Sequence, residues 1–181
     1  MNNFKNKKIN KINVKDVALI GLMVAMIETC KVALTALPNI ELTSFLLILF
    51  TLFFGWRIML VVPVFILIEG SIYGFGNWWI MYLYAWPLLV FVTWIFRRQE
   101  SVWFWSILSG AFGLLFGFFC SFPYVVTGAI GASIQSGLYA GFTWWVAGIP
   151  YDIIHCISNF LIMLVLYKPM CRVMKEARKI F

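Results

Sequence analysis

Long apolar runs alternate with short polar breaks along this chain, and the breaks mark where each run stops. A first run over residues 15–36 ends at the turn signal Pro38-Asn39. The next block, from Leu42 to Ile68, is interrupted by Gly55-Trp56-Arg57. An arginine at mid-membrane would cost several kcal/mol. A tight hairpin at Gly55–Arg57 removes that cost and predicts two shorter spans, 41–54 and 58–74. A glycine- and aromatic-rich turn, Tyr73 to Trp79, then leads into a fourth span over 80–96, which stops at Arg97-Arg98. A fifth span covers 102–126, a small-residue stretch runs from Gly128 to Gly141, and a sixth span covers 144–167. Apolar runs this long and unbroken belong to membrane helices rather than to half-buried surface helices or strands. The pattern predicts an all-α protein, an integral membrane bundle of six transmembrane helices. No internal repeat is visible, which counts against a secondary carrier built from inverted halves.

Composition agrees. With 63% hydrophobic and 12% charged residues among 181, the chain lies far from a soluble domain. Its net charge of +7 would suit a nucleic-acid partner if the basic residues formed one face, but they do not. Lys5, Lys7, Lys8, Lys11 and Lys15 precede or open the first run, Arg57, Arg97 and Arg98 mark two breaks, and Lys168, Arg172, Lys175, Arg178 and Lys179 follow the last. Cytoplasmic loops and tails carry such an excess, so both termini are expected to be cytoplasmic, and no nucleic acid is expected as a partner. The resulting domain plan is a basic tail over 1–14, a membrane domain over 15–168 and a second basic tail over 169–181. The basic start resembles a signal peptide, yet Glu28 and Lys31 break its apolar run, so it is read as a retained first span. Cys30, Cys120, Cys156 and Cys171 show no metal-ligand spacing and are read as free thiols, with no metal or cofactor expected.

The polar residues inside the spans carry the functional signal. Asp152, His155 and Asn159 share an arc of about 60° on the last helix. Ionisable groups in membrane helices are costly and usually face a bundle interior or a water-filled cavity. In the six-span topology Glu28, Lys31, Glu41, Glu69, Asp152 and His155 all lie toward the outer side, with aromatic residues gathered around two outer turns. That arrangement predicts an outward-opening, net acidic pocket. Its expected ligand-contacting residues are Glu28, Lys31, Glu69, Tyr73, Asn77, Trp78, Tyr82, Trp144, Asp152, His155 and Asn159, with Glu69, which has no base nearby in its run, and Asp152 foremost. Each has a plainer explanation. Glu28 and Lys31 can neutralise each other at a spacing of three, His155 can donate to a carbonyl, Asn159 can bridge helices, and tryptophans gather at interfaces anyway. Ala18, Gly21 and Ala25 share one face of the first span, where small residues permit close helix approach, within the bundle or to a partner. Gly110, Gly113 and Gly117 repeat the feature on the fifth span.

These features together resemble the substrate-binding S component of an energy-coupling factor (ECF) vitamin transporter. The resemblance rests on the Pro38-Asn39 turn leading into Glu41-Leu42, the Gly55-Trp56-Arg57 hairpin, Leu67-Ile68-Glu69-Gly70, and Gly148-Ile149-Pro150-Tyr151-Asp152 through Asn159. It implies a subunit that captures a vitamin or vitamin precursor outside, then joins a transmembrane coupling subunit and two cytoplasmic ATPases in the cell membrane. It also implies that Ala18, Gly21 and Ala25 meet the coupling subunit. The family's nickel and cobalt members carry an N-terminal histidine where this chain reads Met1-Asn2-Asn3, so a metal substrate is not expected. No glycine-lysine phosphate loop occurs, so ATP hydrolysis by this chain is not expected. Competing expectations are an intramembrane enzyme using Glu69, Asp152 and His155, or a stand-alone secondary carrier.

Overall fold

The computed structural model describes residues 13–177 and 179, and among them it is all helix, with no strand. Seven α-helices follow in order: α1 Val14–Ala33, α2 Thr43–Phe54, α3 Ile58–Tyr73, α4 Asn77–Ile95, α5 Val102–Leu114, α6 Phe116–Gly131 and α7 Ile134–Ala177. Local chemistry explains their ends. Asn13 and Asp16 cap α1 reciprocally, each side chain accepting the other's backbone N–H at 2.9 and 3.0 Å. Gly55 ends α2 at φ 67° and Gly74 ends α3 at φ 88°, a region that residues with a Cβ avoid. Ser101 caps α5 through the Phe104 amide.

α2 and α3 are separated only by a 3-10 turn at Gly55–Arg57, and α5 and α6 only by Leu115. Counted as continuous stretches, the helices of the described residues number five rather than the six expected. Four stretches, Thr43–Tyr73, Asn77–Ile95, Val102–Gly131 and Ile134–Ala177, are long and apolar enough to cross a membrane. α1 falls outside that group because Lys15, Asp16, Glu28 and Lys31 dilute its apolar character. The N-terminal tail lies largely outside the described residues, while residues 169–177 continue α7 in one unbroken helix past the boundary drawn at 168.

Side-chain pairs fix the helix directions. Asp16 at the start of α1 bonds Arg57 at 2.8 Å, and Lys31 near its end bonds Glu69 near the end of α3, so α1 and α3 run parallel. α2 joins the far end of one to the near end of the other and runs against both. α4 returns, its Trp79 Nε1 donating to the Ile66 carbonyl at 2.8 Å and its Trp94 ring meeting Trp56 at 5.5 Å. Every residue from Thr43 to Thr51 is buried, which makes α2 the central rod of the bundle.

The stretch 102–131 and α7 form a long antiparallel pair. Their contact is tight because its close points are glycines: a Cβ on Gly113 would meet the His155 carbonyl, and one on Gly128 would meet Gly137. Most of α6 is only half-buried, with Ser121 and Pro123 alone fully buried. The lengths differ greatly. At 1.5 Å per residue, 102–131 spans about 45 Å and α3 about 24 Å.

Candidate functional site

A cavity of about 360 Å³ opens at the end of the bundle opposite Arg57. Its wall is built from the C-terminal turn of α1 and the following loop (Lys31, Leu34, Thr35, Leu37 to Glu41), the end of α3 (Glu69, Tyr73) and the start of α4 (Trp78, Tyr82). Phe116 of α6 and His155 of α7 complete it. Helix ends therefore supply most of the lining, and the central α2 stops beneath it. Ser158 on α7 donates to the Asn39 carbonyl at 3.0 Å and ties the loop down, and Asn39 holds φ 58° to make that turn.

Lys31 is the hub of the polar network. Its Nζ donates to Glu69 Oε2 and, at 3.3 Å, to the Tyr82 hydroxyl. It also lies over the Phe65 and Tyr82 rings, 5.5 and 5.3 Å from their centroids. Glu41 accepts from the Thr43 hydroxyl at 3.1 Å, and its Oε1 stands 3.4 Å from His155 Nε2. Burial works against charge on Glu41, but the His155 ring, Lys31 and Thr43 together outweigh it and hold the carboxyl below its usual range. His155 is 2% exposed and packs edge-on against Phe116, with ring centroids 4.9 Å apart.

Of the residues expected from the sequence, Lys31, Glu69, Tyr73, Trp78, Tyr82 and His155 line this cavity together. The others lie elsewhere. Glu28 sits on α1 with both carboxylate oxygens buried and without a hydrogen-bond partner. Asn77 opens α4 outside the lining, and Trp144 stacks on Tyr124 at 3.9 Å, 46% exposed. Asn159 is buried and donates to Ser44 Oγ at 3.2 Å and to the Ser109 carbonyl at 3.4 Å, a bridge among three helices. Asp152 is buried between α6 and α7, where one carboxylate oxygen accepts the Gly117 amide at 2.9 Å.

Two details of the charge pattern differ from the expectation. Lys31 takes Glu69, on another helix, rather than Glu28 three residues before it on its own. Glu69 is therefore not without a base. Sequence reasoning counted Glu41 among the pocket's acids but not among its ligand contacts, and it left off Phe116 and the loop 34–40. The Pro38-Asn39 turn signal located that loop but carried no sign of which way it folds.

Ala18, Gly21 and Ala25 are exposed, and a Cβ on Gly21 would meet nothing, so this small-residue face does not pack inside the bundle. Among the described residues no three His, Cys, Asp or Glu side chains gather so as to hold a metal ion. Compared with known proteins, the chain matches no family model, no curated sequence and no solved structure.

Proposed function

We propose that this chain is the substrate-binding S component of an energy-coupling factor transporter. It captures a small vitamin-like molecule from outside and delivers it through a transmembrane coupling subunit driven by two cytoplasmic ATPases. The observation that carries the proposal is the cavity lined by Lys31, Glu41, Glu69, Tyr82 and His155, at the end of the bundle away from Arg57. Arg97 and Arg98 follow the end of α4 whose Trp94 meets Trp56, so these arginines mark the same end as Arg57. With the basic end cytoplasmic, the cavity opens outward, and the start of α1 and the end of α7 lie inside. In this topology α1, α2, α3, α4, the stretch 102–131 and α7 are six legs, with Gly55–Arg57 as an inner hairpin. The short α2 reaches its depth within protein rather than lipid. The exposed face of Ala18, Gly21 and Ala25 is the docking stripe for the coupling subunit, and the protein resides in a bacterial cell membrane.

The reading is tested by purifying the chain in mild detergent, identifying small molecules that co-purify by native mass spectrometry, and measuring uptake with and without the ATP-driven partners. A retained small molecule, released in Glu41→Gln and taken up only when the partners and ATP are present, is the expected result. Uptake by the chain alone, driven by a proton gradient, would overturn the proposal in favour of a secondary carrier.

A further inference from the structure

The cavity's polar atoms differ in what they leave free. Lys31 is already committed to Glu69 and Tyr82. Glu69 spends only Oε2 on that pair; its Oε1 is buried with no hydrogen-bond partner, on a residue 1% exposed. His155 Nδ1 is likewise buried without a hydrogen bond, and its Nε2 has only Glu41 Oε1, 3.4 Å away. Glu41 adds a second carboxylate to the same wall, while Glu28, one turn before Lys31 on α1, lies off the cavity with its carboxyl against Glu69.

Buried acceptors without donors are costly, and an occupant of the cavity can supply donors from its open side. A carboxylate or phosphate brings acceptors only. It would meet Glu41 and Glu69 with the one lysine of the wall already engaged. A positive charge gains instead from both carboxylates and from the aromatic lining of Trp78, Tyr82 and Phe116. The rings also favour a flat body over a branched one.

Resting on the capture reading above, we infer that the cavity takes a flat organic cation, such as an amidinium or a protonated nitrogen heterocycle. One N–H of that cation donates to Glu69 Oε1, and the cavity excludes organic anions. Glu41 and Glu69 are its charge-reading residues, and Trp78 and Tyr82 flank its ring.

Benzamidinium, benzamide and benzoate share a ring and a planar head group but carry positive, zero and negative charge. Each is titrated into the detergent-purified full chain, read by saturation-transfer NMR and by the thermal unfolding midpoint. The expected result is benzamidinium binding about tenfold or more tighter than benzamide, with benzoate failing to compete. That preference should be lost in Glu69→Gln and reduced in Glu41→Gln. If Glu69→Gln does not fold, Glu41→Gln and Trp78→Leu carry the test.

Tighter binding of benzoate or benzamide, abolished by Trp78→Leu, overturns the cation assignment while the capture reading stands. Benzamidinium binding unchanged in Glu41→Gln and Trp78→Leu overturns it too, because the probe then sits outside the cavity. Failure of all three probes to bind also overturns it, and the capture reading is then decided separately by the co-purification experiment.

Discussion

The carboxylate of Asp152 on α7 accepts a hydrogen bond from the backbone amide of Gly117 on α6, at 2.9 Å. Gly117 stands in the first turn of α6, where amides have no acceptor within their own helix. Leu115 interrupts the stretch immediately before it, so Asp152 serves as an N-cap supplied by the neighbouring helix. The fit is close enough that a Cβ on Gly117 would strike the carboxylate itself.

Asp152 is therefore expected to matter for stability rather than affinity. Asp152→Ala should cost about 0.5–2 kcal/mol, the usual range for a lost cap, while Asp152→Asn keeps an acceptor and should cost less. Gly117→Ala should destabilise as well. Unfolding midpoints in detergent give the ranking, and ligand affinity per folded molecule should be unchanged in Asp152→Asn.

Lys31 and Glu69 form a buried pair whose partners depend on each other. Replacing either alone strands the other, and such losses run to about 3–5 kcal/mol. Lys31→Met combined with Glu69→Leu should be less damaging than the sum of the two single changes. A double-mutant cycle on unfolding free energy measures the coupling, and strict additivity would show that the pair does not act as a unit.

Glu41 ties stability to pH. Its carboxyl is held below its ordinary value of 4.5 in the folded protein, so the folded state favours the ionised form. The resulting stabilisation is present above that ordinary value and is lost as pH falls through the depressed folded one. In Glu41→Gln the decline of the unfolding midpoint over that acid range should be shallower than in the parent protein. Parallel curves would remove Glu41 from the balance.

The exposed stripe on α1 separates folding from coupling. Because nothing lies against Gly21, Gly21→Leu should leave the unfolding midpoint and ligand affinity unchanged. In the proposed assembly it should sharply reduce co-purification with the coupling subunit and ATP-driven uptake. A drop in stability, or full uptake, would show that this face plays another part.

Much of this architecture is legible in the chain because glycine, proline and arginine punctuate it. Gly55, Gly74 and Arg97-Arg98 end helices close to where the apolar pattern breaks. Helical spacing also puts Asp152, His155 and Asn159 on one buried side of α7, and all three are buried there. Spacing does not say what that side faces, and the side is wide enough to meet three neighbours. His155 reaches the cavity, Asp152 caps α6, and Asn159 bridges to Ser44 and Ser109. Lys31 illustrates the same limit, since its choice between Glu28 and Glu69 depends on how α1 is turned against α3. The segment from Leu34 to Ile40 has no periodicity to read, so its role as a wall emerges only once Ser158 pins it.

The unequal helix lengths reach beyond the protein into its surroundings. In the proposed six-leg topology, a hydrocarbon layer about 30 Å thick is overshot by the stretch 102–131 and undershot by α3, which presents Leu60, Val64, Leu67 and Ile72 outward. Lipid tails beside α3 must therefore shorten or splay while those around α6 and α7 stretch or let the helices lean. In that topology the bilayer around this protein is wedge-shaped, and its acyl-chain length becomes a variable that sets how the molecule stands.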